Sequence, residues 1–311
     1  MIYRDQHKKC RPNGASIAER NLRQHYSRHL SMATTVGQIL SIYIKGVIVC
    51  VLAALPILGY AQSDTIPSDK IITNAKMIGI GYTNILDTYL SPEKYTGTEV
   101  RYISHTVREK IGSRWSQEIV HNGDISSIKS RSGDGNEIAG MYNFSYAWHY
   151  NWNFGGGHWN LKAGGMVDTY LGFIYNTRNS NNPAQARLFL NISPNAAVTY
   201  RFRMWNRPYS LRYEVSAPLF GVMFSPNYGQ SYYEIFSEGN YDHNVVPTTF
   251  ISTPSLRQMI SIDVMLGKTT IRLGYLGDFQ QSKVNNLKTH VYTHAFVIGI
   301  VKHFKLVNIR P

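Results

Sequence analysis

The sequence predicts an all-β fold: a closed antiparallel transmembrane up-and-down β-barrel of about ten strands. Three observations carry this. Period-two alternation of apolar and polar residues recurs through residues 73–304. The joins between the alternating segments are by turns short and long. Full charges fall on the polar face, where a membrane barrel has its lumen.

The short joins are 108–113, 152–157, 204–208 and 267–268, and the long joins are 83–97, 122–136, 175–186, 219–256 and 278–288. Bacterial outer-membrane barrels have this organisation, with short periplasmic turns, long extracellular loops and an even strand count. Both ends of the barrel segment then lie on the short-turn side.

The strands follow from the alternation. Ile260, Ile262, Val264 and Leu266 alternate with Ser261, Asp263 and Met265. Ile271, Leu273 and Tyr275 lie opposite Arg272 and Gly274. Val198, Tyr200 and Phe202 alternate with Thr199, Arg201 and Arg203, and Leu211, Tyr213 and Val215 with Arg212, Glu214 and Ser216. Tyr142, Phe144, Tyr146, Trp148 and Tyr150 alternate with Asn143, Ser145, Ala147 and His149. In the last strand Phe296, Ile298 and Ile300 alternate with Ala295, Val297 and Gly299. Weaker alternation marks strands at 75–82, 98–107, 114–121 and 158–174.

Alternation alone leaves open which face points outward, since a lipocalin-like barrel buries the apolar one. The charged face and the aromatics near strand ends, among them Trp115, Tyr150, Trp152, Trp159, Trp205, Tyr209 and Phe304, favour lipid outside. Leu266-Gly267-Lys268-Thr269 is the best-defined turn, because Gly accepts the positive φ of a two-residue hairpin. It pairs Leu266 with Thr269 and Ile262 with Leu273, which puts every apolar residue on one face and sets Asp263 opposite Arg272.

Residues 46–60, GVIVCVLAALPILGY, form an apolar run shorter than the ~20 residues of a spanning helix. Lys45 precedes the run, and Gly59 and Ala61 supply small residues for a cut before Gln62. The expected organisation is an N-terminal extension at 1–31, a signal peptide at 32–61, a periplasmic segment at 62–72, the barrel at 73–304 and a tail at 305–311. Met32 is an alternative start. Cys10 and Cys50 both precede the cut, which excludes thiol catalysis and Cys-ligated zinc from the mature chain. Of 32 Lys+Arg and 19 Asp+Glu, 24 and 17 remain after the cut, a net charge of +7. With no basic run or recognition-helix pattern, nucleic acid is not an expected partner.

Asp263, Arg272, Arg201, Arg212 and Glu214 are the expected lumen charge network. They read either as interior ion pairs filling a narrow barrel or as the lining of a solute path, and the first is favoured. Histidines carry little chemistry. Ser104 and His105 are adjacent and face opposite ways, while His290 and His294 share a face but sit roughly 13 Å apart. His149, His158 and His303 are expected near the periplasmic rim. The run from Ser132 to Glu137 lacks the carboxylate spacing of a calcium loop. Gly155-Gly156-Gly157 precedes a strand and reads as a turn. No catalytic residue, metal or cofactor is expected. The 219–256 segment holds Tyr228, Tyr232, Tyr233, Phe236 and Tyr241, which read equally as a loop contact surface or as a lid packed on the barrel mouth.

The Tyr60-Ala61-Gln62-Ser63 junction and the ten-strand pattern of 73–304 resemble uncharacterised outer-membrane barrel families of Bacteroides-type bacteria. That resemblance implies an outer-membrane location and offers no functional residues. Where many such barrels end on an aromatic read by the insertion machinery, here Phe304 is followed by residues 305–311. The expected function is a non-enzymatic, monomeric outer-membrane barrel with a surface-interaction or envelope-maintenance role. A narrow channel for small solutes is the alternative, and an outer-membrane lipid-modifying enzyme a third. Expected partners are outer-membrane lipid, the barrel-insertion machinery and a surface partner or small solute.

Overall fold

The structure, a computed structural model, describes residues 70–306 except Asn181 and Lys268. The extension, the signal peptide and the cut before Gln62 lie outside the described residues.

Twelve strands, one short α-helix and a single 3-10 turn at Gly155–Gly157 make up the described chain. The first six are β1 (Lys70–Asp87), β2 (Lys94–Lys110), β3 (Trp115–Ser130), β4 (Asn136–Phe154), β5 (Trp159–Asn176) and β6 (Ala184–Met204). Then come β7 (Arg207–Ser216), β8 (Phe220–Phe224), α1 (Tyr232–Phe236) and β9 (Val245–Thr249). The chain closes with β10 (Leu256–Leu266), β11 (Thr269–Val284) and β12 (Leu287–Leu306).

Ten of the strands form the barrel. Each of β1 to β7 pairs antiparallel with the next, β7 pairs with β10, and β11 and β12 follow, with β12 returning to β1. Closure satisfies both edges of every barrel strand, which the lipid interior demands of any spanning sheet. The register fixes the geometry. Starting at Ile71 and crossing from partner to partner (Glu109, Ser116, His149, Gly164, Asn195, Ser216, Arg257, Asp278, Thr293), the path returns to β1 at Thr83, 12 residues further on. A shear of 12 over ten strands tilts the strands by about 40°.

The two walls behave as the alternation requires. Ile78 and Ile80 on the outer face are 63% and 62% exposed, while their neighbours Met77 and Ala75 are 1% exposed. On β4, Tyr142 and Trp148 face out, and Asn143 and His149 are buried inside. An exterior of Ile, Leu, Val, Phe and Tyr around an interior of Asn, Ser, His, Arg and Glu is the inverse of a soluble barrel. Trp115, Trp152, Phe154, Trp159 and Phe304 gather at the short-turn end of this belt, all exposed. No described helix is long and apolar enough to cross a membrane, so crossing falls to the strands.

The strand ends differ from the sequence expectation. Four of the five long joins are short. The loops span only 88–93, 131–135, 177–183 and 285–286. The strands run on through polar stretches such as Ser126–Ser130, whose inner residues Ser126, Ile128 and Ser130 are buried. These residues still pack inside the barrel above the membrane belt, where a polar outer face breaks the hydrophobic alternation without breaking the ladder. Asn285 and Asn286, at φ 52° and 61°, close a two-residue hairpin, a left-handed geometry that Asn tolerates. Only 217–255 is long, and it is itself structured. β8 pairs with β6 beyond the end of β7, and β9 pairs with β8. These two short strands continue the wall above β7 and β10.

Candidate functional site: the lumen and its two mouths

The lumen contains a connected set of charged side chains. At its centre Arg272 is held by Asp263 through two bonds, Nε to Oδ1 at 2.6 Å and Nη2 to Oδ2 at 2.8 Å. The paired register of β10 and β11 places them side by side. The Nη1 of Arg272 lies 3.4 Å from His105 Nδ1, and His105 Nε2 lies 2.8 Å from Glu118 Oε1. His105 thus lies between a guanidinium and a carboxylate. Arg212 then donates to Glu118 at 3.0 Å and to Glu214 at 2.8 Å. Asn195 donates to Glu214, and His149 Nε2 lies 2.7 Å from Asn195 Oδ1.

A second cluster sits nearer the loop end. Arg101 bonds Glu99 at 2.7 Å and reaches Asp124 and Asp278 at 3.3 and 3.2 Å. Arg257 shares Asp278 at 3.0 Å and donates to Asn143. Asp168 accepts from Ser145 and Ser193, each at 2.6 Å. Every one of these groups lies on the inner face of its strand, because residues two apart on a strand point the same way. Glu99 with Arg101, and Arg212 with Glu214, are such same-strand pairs. A buried charge without such partners costs several kcal/mol, so the clusters are a condition of having charge inside at all.

The clusters fill the lumen. Below them, on the short-turn side, opens a vestibule of about 580 Å³. Asp263, Arg272, His105 and Arg212 line it where the first cluster begins. Cavities deeper in shrink to about 40 Å³ beside His105 and Arg257 and about 10 Å³ beside Arg101 and Asp124. The first is about the space of a water or two, the second about one. Lys162, paired with Glu109 at 2.5 Å, and the rim residues Arg201 and Arg203 give the vestibule a basic cast.

His105, Glu118 and Glu214 bring three ligand atoms within 4.8 Å of one another. A cation already sits there. Arg212 bridges both carboxylates, and Arg272 approaches the imidazole from the other side. The donor set is complete as an ion-pair cluster and offers a metal little.

Of the sequence-derived network, Asp263 with Arg272 and Arg212 with Glu214 pair as direct partners inside the barrel. Arg201 does not join them. It is exposed at the rim and donates to the Gly157 carbonyl at 3.4 Å, because the first turn of the hairpin from β6 to β7 lies only a few residues on. His149 is not a rim residue. It is fully buried against Asn195, since β4 continues five residues past it to Phe154. Sequence reading missed Glu118, His105, Arg101, Glu99, Asp124, Arg257 and Asp278. Glu99, Arg101, His105 and Glu118 stood at inward positions of the weaker strands, which was the available signal, while Asp124 and Asp278 fell in stretches read as loops and Arg257 just before a strand.

The loop end is closed by its own side chains. Ser231 caps α1 and accepts from the Glu234 amide, while Glu234 reaches back to the Ser231 amide in a capping box. Tyr232 is not part of an exposed contact surface. Its hydroxyl donates to Gln185 at 2.8 Å and accepts from the Ala186 amide at 2.7 Å, and its ring packs on Tyr89 and Phe224. Tyr89 donates to the Gln230 carbonyl. Burial, then the Asp87 and Glu234 carboxylates, push its phenol up to about 12. Tyr228, Tyr233, Phe236 and Tyr241 remain exposed, at 73%, 59%, 63% and 69%.

Solved structures of similar shape are outer-membrane proteins. The translocator domain of the autotransporter NalP from Neisseria meningitidis aligns over 79% of this chain and 91% of its own, with 9% identity and a TM-score of 0.37. The transport unit of the autotransporter AIDA-I from Escherichia coli covers 77% and 92%, at 5% identity and 0.36. The outer membrane protease OmpT from Escherichia coli covers 79% and 99%, at 7% identity and 0.35. Likenesses this loose transfer no residue and no activity. No curated protein matches the sequence. The family described as DUF3316, proteins of unknown function, matches residues 47–311, which take in the whole barrel, and the chain belongs to that family.

Proposed function

We propose that the protein is a closed, non-enzymatic, monomeric barrel of the outer membrane, in a surface-interaction or envelope-maintenance role. The observation that carries this reading is the filled lumen. Two buried ion-pair clusters stand above a blind vestibule, and the cavities past them hold a water or two at most. The apolar exterior supports the membrane placement, and a Bacteroides-type source rests on the Tyr60–Ser63 junction and the ten-strand pattern. What reaches out is the loop end, where Tyr233 and Phe236 are offered on the capped helix and Tyr228 and Tyr241 on the loops that flank it. Rigidly carried aromatics of this kind suit contact with a partner surface.

Conductance of purified protein in a planar bilayer tests the reading. Insertion confirmed by protease protection, with no steady conductance above the bare bilayer, is the expected result. A sustained single-channel step would replace it with a narrow solute channel.

A further inference from the structure

The outer wall carries a row of lysines whose arrangement follows from the register. Lys94 on β2, Lys129 on β3, Lys283 on β11 and Lys288 on β12 are all exposed. Lys129 and Lys283 each lie between inward-facing, buried neighbours, Lys94 precedes buried Tyr95, and Lys288 follows buried Leu287. All four therefore project from the outer face. Lys94 stands opposite Leu86 of β1, Lys129 opposite Thr96 of β2, and Lys283 directly opposite Lys288. Lys288 hydrogen-bonds through its backbone to Thr88 at the top of β1.

These positions share one height. With a shear of 12 over ten strands, a horizontal circle shifts by about 1.2 residues per strand relative to the hydrogen-bonding direction. Corrected for that shift, the four lysines fall within about two residues of one level, or about 5 Å along the barrel axis. They span five neighbouring strands, an arc of roughly 25 Å. Below them on the same strands comes an outward polar level of Asn84, Thr96, Thr98, Ser127 and His290, and below that Tyr82, Val100, Ile125 and Tyr292 of the apolar belt. The row thus sits about 10 Å above the top of the apolar belt, at the height of lipid headgroups. The opposite wall at this height presents Tyr175, Ala186, Phe224 and Val245.

Among the described residues none of the four lysines has an ion-pair partner, and two of them are a like-charge cross-strand pair. Such a pair is unfavourable unless anions lie near it. We propose that this row binds the phosphate groups of anionic lipids in the leaflet next to the loop end, and so fixes a shell of lipid against β11, β12, β1, β2 and β3. The proposal rests on the membrane placement argued above. Ammonium groups spaced along a headgroup plane match phosphates in that plane, and each lysine near such a surface strengthens binding roughly fivefold.

The test compares the wild type with the variant Lys94→Gln/Lys129→Gln/Lys283→Gln/Lys288→Gln. A second variant neutralises the exposed cations of the other end, Lys70, Arg108, Lys110 and Lys302, also to Gln. Each is reconstituted in vesicles of phosphatidylcholine with or without a lipid bearing phosphate monoesters, and folding is followed by the loss of heat-modifiable mobility on gels. Retained lipid phosphorus is measured after extraction into detergent. The expected result is equal insertion of all three proteins into phosphatidylcholine. The phosphomonoester lipid raises the melting midpoint and remains bound for the wild type and the other-end variant, and the four-lysine variant loses most of the bound phosphorus. Equal retention by the four-lysine variant, equal loss in the other-end variant, or the same stabilisation by inorganic phosphate alone would overturn the proposal. Failure of the wild type to insert into any vesicle would instead overturn the membrane placement.

Discussion

At the scale of single residues, the charge pairs inside the barrel make the sharpest predictions. Asp263 is bound to Arg272 by two short hydrogen bonds on adjacent strands. Asp263→Ala leaves the guanidinium facing only His105, so it should cost roughly 2 kcal/mol, below the usual 3–5 for a broken buried pair because the Asp263 side chain is 15% exposed. Arg272→Ala should cost a similar amount. The double variant should cost less than the sum of the two, since neither charge is then orphaned. Urea unfolding in detergent, run as a double-mutant cycle, reads the coupling, and strict additivity would refute the pairing. This pair was legible in the sequence because the Gly267 turn fixes the register by itself. Gly267 does take a positive φ of 63°. Glu118 was not legible in the same way. Its partners His105, Arg212 and His149 come from three other strands, and no local pattern announces a contact that closure alone creates.

At the scale of elements, the alternation located the strands and misjudged their ends. A hydrophobic pattern reports where lipid lies. It stops reporting where the wall rises above the membrane and both faces turn polar, as along Ser126–Ser130, whose outward Ser127 and Lys129 are exposed. The ladder needs only backbone, so β3 and β11 continue past the point where the pattern fades. From composition the 219–256 segment reads equally as surface or as lid, and the structure divides it between the two. Tyr232 is its anchor. Tyr232→Phe removes the donor to Gln185 and the acceptor for the Ala186 amide, at a cost of about 1–2 kcal/mol. That cost should appear as faster hydrogen exchange across α1, β8 and β9, with the exchange of β1 to β5 unchanged. An unaltered α1 would show that packing on Tyr89 and Phe224 holds the lid without those bonds.

At the scale of the whole molecule, two asymmetries agree on a direction in the membrane. The short-turn end carries the exposed ring of Trp115, Trp152, Phe154, Trp159 and Trp205 and the open vestibule. The other end carries α1, the β8–β9 hairpin and the headgroup-level lysines. In an up-and-down barrel with ten strands, the start of β1 and the end of β12 share an end, and Lys70 pairs with Leu306 at the short-turn side. A barrel inserted from the periplasm keeps its short turns and both chain ends there. That orientation puts Gly239 outside the cell. Gly239 takes φ 71° just beyond α1 in an exposed stretch, and a side chain there would meet only Tyr241, at van der Waals distance, so an inserted epitope should not disturb the barrel. An epitope placed there should be labelled by antibody on intact cells, and one placed in the Gly155–Gly157 turn should be labelled only after the envelope is opened. The second site is a fair control because all three glycines have positive φ and Gly156 and Gly157 have open space around them, which makes the turn equally tolerant of insertion. The reverse pattern would turn the barrel over. It would place the vestibule at the cell surface and the lysine row at the periplasmic leaflet.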